Sequence, residues 1–444
     1  MAYPIRGDSS TGDLAECQVG TPKVGGVSPL ELSFNPAKPL VMHIDLNSCF
    51  ASVEQQANPL LRGKPVAVVH SDAPYGCILA PSVEAKLWGI KTGMTLKQGR
   101  DLCPWLIARI ADPDKYRQIH KQIGQLLNEY SPHVISKSID EFCLPLPTLP
   151  GVSRKESTRR LLEGISHDIK SRIKTEIGDH LRVSIGVSTN QILAKLASGL
   201  HKPDGFDVID SSNFLDVYSK IDLQEFCGIN IRNEARLHRV GIFTSVQFYQ
   251  ADIQTLKQAF QSVLGRYWYT RLRGYEVDDV QFSRRSFGQS YVLPRPMSYE
   301  EWRPILAKLI AKAARRLRSS GGYATGIGLA LNFADHTSWH TTHQGDSMLL
   351  DDASLLSSAL ALYEKSPNRV TAKFEERSVK KIAVTCFGLV EDNGQLSCLV
   401  DTIKQKSLVQ SLDSLNDKWG EYSITYGSFL GSAGHVRDSI AFGK

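Results

Sequence analysis

The sequence lacks the features of a membrane protein or of a secreted protein held together by disulfides. No apolar run reaches the length needed to cross a bilayer, and the N-terminus carries Gly, Pro, Ser and Asp where a signal peptide needs an apolar core. The eight cysteines are scattered without a Cys-x-x-Cys pair, which argues against a zinc ribbon or a disulfide scaffold. We therefore expect a cytoplasmic protein.

A strong excess of charge of either sign is also missing. The 444 residues carry a formal net charge of +6 and an apolar fraction typical of globular proteins. The mild positive charge permits an acidic partner such as nucleic acid but does not require one. The length predicts several domains.

The pattern along the chain predicts how those domains are arranged. Residues 1–38 lack apolar periodicity and read as a flexible extension. Strands and helices then alternate as far as about Asp210, which predicts an α/β layer. Strands are predicted at 39–47, 65–69, 77–80, 134–142 and 182–187. Helices are predicted at 50–56, 83–88, 116–130, 157–177 and 191–200, and residues 188–190 can cap the last of them. Residues 210–276 read as short helices, 277–285 as a polar linker and 286–430 as an α+β block, leaving 431–444 as a tail. In the α+β block, strands are predicted at 286–293, 326–333 and 381–389, and helices at 300–319 and 401–418.

Acidic residues stand in two short segments, 41–47 and 135–142. Each segment reads as an apolar strand with carboxylates at its C-terminal end, namely Asp45 in the first and Asp140 and Glu141 in the second. Carboxylates brought together repel one another unless cations neutralise them, and Mg²⁺ is the usual ion because it prefers oxygen ligands. Two such ions about 4 Å apart can clamp the oxygens of a phosphoryl transfer, and the carbonyl of Leu46 offers a further ligand. The alternative is a pair of strand ends whose acids face water.

Phe50 and Lys202 have a functional and an ordinary interpretation. The ring of Phe50 could close the floor of a pocket beside the acids, or simply anchor the following helix in the core. Lys202 precedes Pro203 and Gly205 and could neutralise a triphosphate from a stiff segment, or be a solvated lysine in a turn.

Two further features are candidate nucleic-acid contacts. Gly228 and Asn230 precede a short helix in a pattern like a helix-hairpin-helix turn, whose backbone N–H groups can bind a phosphate, although Asn230 stands where a second glycine is usual. In the last block, cations recur at helical spacing or in pairs, and such runs are more often solvated faces than binding sites. These cations are Lys308, Lys312, Arg315, Arg316, Arg318, Arg284, Arg285, Lys380 and Lys381.

Several segments, in this order, resemble the Y-family of translesion DNA polymerases. The matching segments are residues 45–54, 58–59, 61–68, 84–86, 89–91, 103–104, 130–132, 138–141, 184–188, 194–198 and 202–205. The resemblance covers roughly residues 39–430 and is densest up to Gly205.

The resemblance implies a right-hand polymerase of mixed α/β and α+β domains. The palm would comprise 39–48 and 112–209, the fingers 49–111, the helical thumb 210–276 and the little finger 286–430. It implies a DNA-directed DNA polymerase that adds deoxynucleotides to a primer 3′ end in translesion synthesis. The absence of long tails suggests a bacterial type.

The resemblance also implies roles for individual residues. Asp45 and Asp140 would bridge two Mg²⁺ ions, and Glu141 would favour the ion that activates the primer hydroxyl. Phe50 matches the steric gate that excludes a ribose 2′-hydroxyl, and Lys202 matches the lysine that contacts the triphosphate.

The nucleotide pocket would be lined by Ser48, Cys49, Val83 and Lys86. DinB-type members commonly place Tyr and Arg where this chain has Val83 and Lys86, and the surrounding segment looks closer to UmuC-type members. The subfamily therefore stays open.

The implied partners are template-primer DNA and deoxynucleoside triphosphates, bound by a monomer. Residues 405–408 only weakly match a sliding-clamp peptide, so a clamp partner rests on analogy. Gly228, Asn230, Arg284, Arg285, Lys312 and Arg316 are the expected DNA contacts.

Two other functions are alternatives to a polymerase. A polymerase-like accessory protein that binds DNA with weak catalysis would be expected to lose the acids, but all three are present. A nucleotide cyclase is suggested by residues 138–142, yet the Gly-Gly of that signature is missing.

Overall fold

The computed structural model of the chain describes residues 32–147, 155–278, 284–366, 378–391 and 400–432, together with 434 and 436. It divides into two compact units, of which the first holds the described residues up to 278 and the second those from 284 onward. Most of the predicted extension 1–38, the centre of the predicted linker 277–285 and most of the predicted tail 431–444 lie outside the described residues. Within the described residues, every helix is too short or too polar to cross a membrane.

The first unit is built on a five-stranded sheet in the order β5-β6-β1-β7-β8. Its strands are β1 (Val41–Leu46), β5 (Ile135–Ser136), β6 (Glu141–Pro145), β7 (Val183–Ser188) and β8 (Phe206–Val208). β1 lies at the centre and pairs antiparallel with both β6 and β7. The sheet therefore holds β1 from both sides.

The two faces of this sheet are covered differently. Met42 and Ile44 face a core formed with helices α4 (Pro113–Leu127) and α5 (Lys155–Arg172), and α5 continues as a π-helical turn, Ile173–Ile177. Helix α6 (Gln191–Leu200) covers the other face, its first turn capped by the side chain of Asn190 as the sequence predicts. Because side chains alternate along a strand, His43 and Asp45 lie on this second face.

A smaller three-stranded sheet, β3-β2-β4, forms a separate layer of the first unit. It comprises β2 (Val66–Val69), β3 (Ile78–Pro81) and β4 (Ile107–Ile110), with helices α1 (Cys49–Ala57), α2 (Val83–Leu87) and α3 (Leu96–Leu102) nearby. The sequence predicted β2, β3, α1 and α2 but missed α3 and β4. Helix α3 begins with a capping box between Thr95 and Gln98, which is a signal readable from the sequence.

Short helices make up the rest of the first unit, as predicted. They are α7 (Phe214–Lys220), α8 (Ile231–His238), α9 (Ser245–Gln250), α10 (Ile253–Phe260) and α11 (Leu264–Arg271). Their apolar faces share one core with Leu193 and Leu196 of α6. The short helices and α6 thus form one packed body.

The described part of the predicted N-terminal extension is packed rather than flexible. Phe34 is 6% exposed and stacks on Phe214 with the ring centroids 4.1 Å apart. Asn35 is bonded to the carbonyls of Arg273 and Gly274, and the Arg273 guanidinium donates to the Leu32 carbonyl. The prediction was wrong for residues 32–36 because Leu32 and Phe34 alternate with polar residues, a strand-like pattern too short to stand out.

The second unit is a four-stranded antiparallel sheet with helices packed on its apolar face. The strands are β9 (Ser286–Met297), β10 (Gly322–Phe333), β11 (Ser338–Leu349) and β12 (Val379–Glu391), in the order β11-β10-β12-β9. The helices are α12 (Tyr299–Ser319), α13 (Asp352–Glu364) and α14 (Val400–Trp419). The sequence missed α13 and also β11, a polar edge strand in which Thr, His and Ser obscure the alternation.

Candidate active site

The acids reach one edge of the central sheet by a route that differs from the prediction. Residues 134–142 are not one strand, because β5 ends at Ser136 and a turn leads to β6, which begins at Glu141. β6 runs antiparallel to β1, so its beginning lies beside the end of β1 and Glu141 pairs directly with Asp45. If Asp45 and the Asp140–Glu141 pair both stood at the C-terminal ends of these antiparallel strands, they would lie at opposite edges of the sheet.

Asp45, Glu141 and His43 form a compact cluster on the face covered by α6. One potential ligand atom from each lies within 4.8 Å of the others. Asp45 is only 9% exposed, and burial is the main reason why its pKa is raised, with Lys202 opposing and the charges of Glu141 and Asp140 adding to the rise. The cluster therefore carries mutual repulsion that cations must offset.

Lys195 on α6 neutralises Glu141. Its Nζ lies 2.8 Å from Oε1 and 2.7 Å from Oε2 of that carboxylate. Burial acts to lower the pKa of Lys195, but the hydrogen bonds and charge of Glu141 outweigh it and the pKa is raised. Lys195 was not predicted as a site residue. Its position one turn into the capped helix α6 is the feature of the sequence that could have indicated it.

Gly186 allows α6 to lie close enough for this contact. A Cβ at Gly186 would stand 2.1 Å from both the Ala194 carbonyl oxygen and the Ser198 amide nitrogen. Gly186 pairs with His43 across β1 and β7, so the close approach occurs beside the acid cluster. Glycine at this position therefore sets the height of Lys195 above the carboxylates.

Lys202 reaches the cluster from the turn that follows α6. Its Nζ lies 2.6 Å from Oδ2 of Asp45, so the structure brings this predicted residue to the predicted acid. The turn is held by Asn47, whose Oδ1 accepts hydrogen bonds from the Asp204 amide at 2.7 Å and from the Ser184 hydroxyl at 3.2 Å. Asn47 was not predicted to act here, although it follows Asp45 by two residues.

His43 is buried beside Glu141 and lacks a hydrogen bond at one ring nitrogen. Its Nε2 lies 3.8 Å from Glu141 Oε2, a distance too long for a hydrogen bond. Burial, followed by the charge of Lys195, lowers the pKa of His43 to about 3. The ring is therefore neutral at physiological pH.

Asp140 lies beside this cluster but outside the group of ligand atoms formed by His43, Asp45 and Glu141. Its carboxylate accepts a hydrogen bond from the Ser138 hydroxyl at 2.5 Å, and its carbonyl accepts from the Leu46 amide at 2.9 Å. The negative charge of Asp140 helps to raise the pKa values of Asp45 and Cys49, after burial. The structure thus places Asp140 at the same edge of the sheet.

Phe50 projects from α1 and stacks on Tyr116 of α4. The ring centroids are 4.3 Å apart and the planes nearly parallel. The Tyr116 hydroxyl donates to Glu54 and accepts from the Asp112 amide, and these two hydrogen bonds fix the Tyr116 ring. The stack makes Phe50 a rigid surface.

The residues around Phe50 place α1 next to the acids. Ser48 adopts a left-handed backbone conformation at φ 50°, and its buried hydroxyl has no hydrogen-bond partner. Cys49 is buried behind the site. In α2, Val83 is 36% exposed, and the pKa of Lys86 is lowered by burial and by Lys202. Lys86 is therefore close enough to the cluster to feel its charges.

The predicted phosphate-binding turn is partly occupied by its own side chain. Gly228 has φ 103°, a conformation that favours glycine, and its carbonyl accepts from the Asn233 side chain. Oδ1 of Asn230 accepts from the amides of Arg232 and Asn233, at 3.1 Å each. An anion at the start of α8 would have to compete with Asn230 for these N–H groups.

The predicted basic stripe on α12 does not form one exposed face. Arg318 pairs with Asp352 and Asp413, and Arg315 pairs with Asp417 and Glu421. Both arginines point from α12 toward α14 and line a cavity between the two helices. Lys312 lines this cavity as well. The prediction of an exposed basic stripe was wrong for Arg315 and Arg318. A spacing of three or four residues also suits side chains that contact a neighbouring helix.

Other cations of the second unit remain at the surface. Arg284 and Arg316 are both exposed and lie over the ring of Phe287, 4.8 and 5.9 Å from its centroid. Arg285 is exposed as well. These side chains are accessible to a ligand.

The acid cluster suits a divalent cation. Asp45 and Glu141 supply oxygen donors, and the unpaired Nε2 of His43 faces the same space. Carboxylate oxygens on a rigid sheet edge are the donors that hard cations such as Mg²⁺ prefer.

Comparison with known families identifies both units. The model of the impB/mucB/samB family matches residues 44–199, and that of the C-terminal domain of the same family matches residues 284–398. The first match contains the three acids and Lys195 and ends before Lys202.

Three bacterial relatives match this chain over nearly their whole length. DNA polymerase IV of Pelotomaculum thermopropionicum is 32% identical over 413 residues, covering 90% of this chain and 97% of the relative. DNA polymerase IV of Moorella thermoacetica is 31% identical and covers 89% and 97%, respectively. DNA polymerase IV 1 of Bacillus subtilis is 28% identical and covers 91% and 96%.

Solved structures with a similar fold include a Y-family DNA polymerase chimera. It has a TM-score of 0.64 at 24% identity, and the match covers 79% of this chain and 99% of the chimera. An insertion ternary complex of Dbh DNA polymerase has a TM-score of 0.54 at 23% identity, with the same coverage. These matches confirm the predicted right-hand polymerase architecture.

Proposed function

The chain belongs to the impB/mucB/samB family and is a bacterial Y-family translesion DNA polymerase, and we propose that Asp45, Asp140 and Glu141 are its catalytic carboxylates. The observation that carries this assignment is the pairing of Asp45 with Glu141 at one edge of the sheet, with Asp140 adjacent. Because the relatives are DNA polymerase IV, the DinB type is favoured over the UmuC type.

The same carboxylates would hold two Mg²⁺ ions, with the Leu46 carbonyl as a further ligand. Bound there, the ions would lower the pKa of the primer hydroxyl and neutralise charge on the reacting phosphate. Asp45 and Glu141 supply oxygens held at a fixed spacing by the β1–β6 register. Intact carboxylates disfavour the accessory-protein alternative.

Cationic side chains around the cluster suit a triphosphate. Lys202 is held by the turn that Asn47 fixes, and Lys86 approaches from α2. Each can neutralise a phosphate oxygen as a point charge. Ser48, Cys49 and Val83 would line the pocket for the incoming deoxynucleoside triphosphate.

The ring of Phe50, backed by Tyr116, would exclude a 2′-hydroxyl from the same pocket. Rejection follows from the stack, because Tyr116 is fixed by its contacts with Glu54 and Asp112 and prevents Phe50 from retreating toward it.

Template-primer DNA would be held through its phosphates by Gly228 and Asn230 and by Arg284, Arg285 and Arg316, with Lys312 a weaker candidate because it lines the cavity between helices. The proposal also includes the domain boundaries that the family resemblance implies. The protein would act as a monomer in the cytoplasm, and residues 405–408 would contact a sliding clamp.

Primer extension with Mg²⁺ by the purified chain tests the assignment. Asp140→Ala and Glu141→Gln should each reduce extension by orders of magnitude while DNA binding persists, because the charge that stabilises the transition state is lost. Asp216→Asn, in an exposed pair with Lys220, is the matched control and should extend normally. Undiminished extension by either active-site variant would refute the carboxylate assignment.

A further inference from the structure

Lys195 is hydrogen-bonded to both carboxylate oxygens of Glu141, so it does more than supply a positive charge nearby. Its ammonium donates to both oxygens, at 2.8 and 2.7 Å, and the Glu141 side chain is only 17% exposed. A cation that binds Glu141 therefore meets the ammonium charge at the same two oxygens and competes with it for them.

The backbone around Lys195 keeps the ammonium at this height. Gly186 admits α6 to within contact of the sheet, and the Ser198 hydroxyl donates to the Lys195 carbonyl at 2.8 Å. The capping residue Asn190 also donates through its side-chain amide to the carbonyl of Arg271 at the end of α11 and to that of Tyr275 just beyond it. Lys195 is thus presented by a fixed helix rather than by a flexible loop.

Charge around the cluster is nearly balanced by protein groups. Asp45 is paired with Lys202 and Glu141 with Lys195, while Lys86 and Lys137 add positive charge nearby. A divalent cation gains less from Asp45 and Glu141 than it would from carboxylates without a lysine partner, because each of the two is already paired with one. The negative charge of a triphosphate would restore the attraction by drawing the lysines to itself.

We propose that Lys195 is a positioning residue that orients Glu141 toward Asp45 and exchanges with a divalent cation there, which makes cation binding depend on the incoming nucleotide. The inference rests on the proposed function and adds to it a role for Lys195 in controlling when the cation binds. Lys195 limits cation affinity in the free protein and leaves the oxygens of Glu141 correctly aimed when the nucleotide arrives.

The test is titration of the full chain with Mn²⁺, without DNA or nucleotide, followed by calorimetry and by electron paramagnetic resonance. Lys195→Met should bind Mn²⁺ about tenfold more tightly than the wild type, because a positive charge in direct contact with a ligand is removed. Lys195→Arg keeps the charge and should stay close to the wild-type affinity. Lys220→Met removes an equal charge from an exposed pair and should change nothing.

A thermal melt of each variant provides a second readout. Without metal, Lys195→Met should melt at a lower temperature because Glu141 loses its partner, and saturating Mn²⁺ should raise its melting temperature more than that of the wild type. If Lys195→Met shows no cooperative transition, Lys195→Gln takes its place in both measurements.

Affinity for Mn²⁺ that is unchanged or weaker in the neutral variant overturns the inference. That result leaves the proposed function intact as long as the wild-type chain extends primers with Mg²⁺. Failure of the wild type to extend primers would instead refute the proposed function, whatever the Mn²⁺ affinities are.

Discussion

At the scale of single residues, the site depends on contacts between unlike side chains that lie far apart in the sequence. Asp45 meets Lys202, Glu141 meets Lys195, and Phe50 stacks on Tyr116. The residue types could be predicted from the motifs, but their partners could not. Pairing depends on strand register and helix height, neither of which is encoded in a short segment.

Substitution of Phe50 tests its role as the steric gate. Phe50→Ala should raise the ratio of ribonucleotide to deoxynucleotide incorporation about tenfold or more, because the ring is the rigid group that would meet a 2′-hydroxyl. Phe50→Tyr keeps the ring and serves as the control. The ratio comes from single-turnover incorporation of matched nucleotide pairs, and no change in the alanine variant would remove the gate role.

Gly186 offers a sharper test of how the sheet sets the site. A methyl group there would collide with backbone atoms of α6, so Gly186→Ala should cost about 3 kcal/mol of stability and lower kcat by displacing Lys195. Gly199 lies on the same helix with open space around it, and Gly199→Ala should be neutral or slightly stabilising. Urea unfolding and steady-state extension measure both effects. Equal behaviour of the two variants would contradict the close-packing argument.

At the scale of elements, the sequence predicted most helices and strands but not how one strand ended. Long periodic helices such as α4 and α12, and apolar strands such as β1 and β7, stood out because burial on one side imposes a regular pattern. The region 134–142 was read as one strand because Ile135 and Ile139 maintain an apolar pattern through what is a turn. The prediction that the acids share one edge of the sheet was still correct. The turn after β5 reverses the chain, so Glu141 begins β6 beside the end of β1.

The segment before β1 provides a test at this scale. Phe34→Ala should lower the free energy of unfolding of the first unit by about 3 kcal/mol, since a buried and stacked ring is removed. Phe243→Ala, at a ring that is 60% exposed, is the control and should cost well under half as much. Urea denaturation followed by tryptophan fluorescence measures both. A silent Phe34 variant would show that residues 32–36 do not stabilise the unit.

At the scale of the whole molecule, DNA affinity should respond to salt through the exposed arginines of the second unit. Arg284→Ala and Arg316→Ala should each reduce the slope of log affinity against log salt by about 0.9 if each side chain neutralises one phosphate. Lys220→Ala in the first unit is the control. Fluorescence anisotropy with labelled template-primer DNA at several salt concentrations measures the slopes, and slopes equal to that of the wild type would exclude these arginines.

The central place of β1 affects how the protein must form during synthesis. β1 leaves the ribosome before either of its neighbours, β6 and β7, and until they follow both of its edges can pair with other chains. The sheet of β2, β3 and β4 involves only local segments and can close during that interval. A nascent chain that stops before β6 would therefore hold a finished small sheet and an apolar strand without a partner, and we expect such fragments to need chaperones or to aggregate.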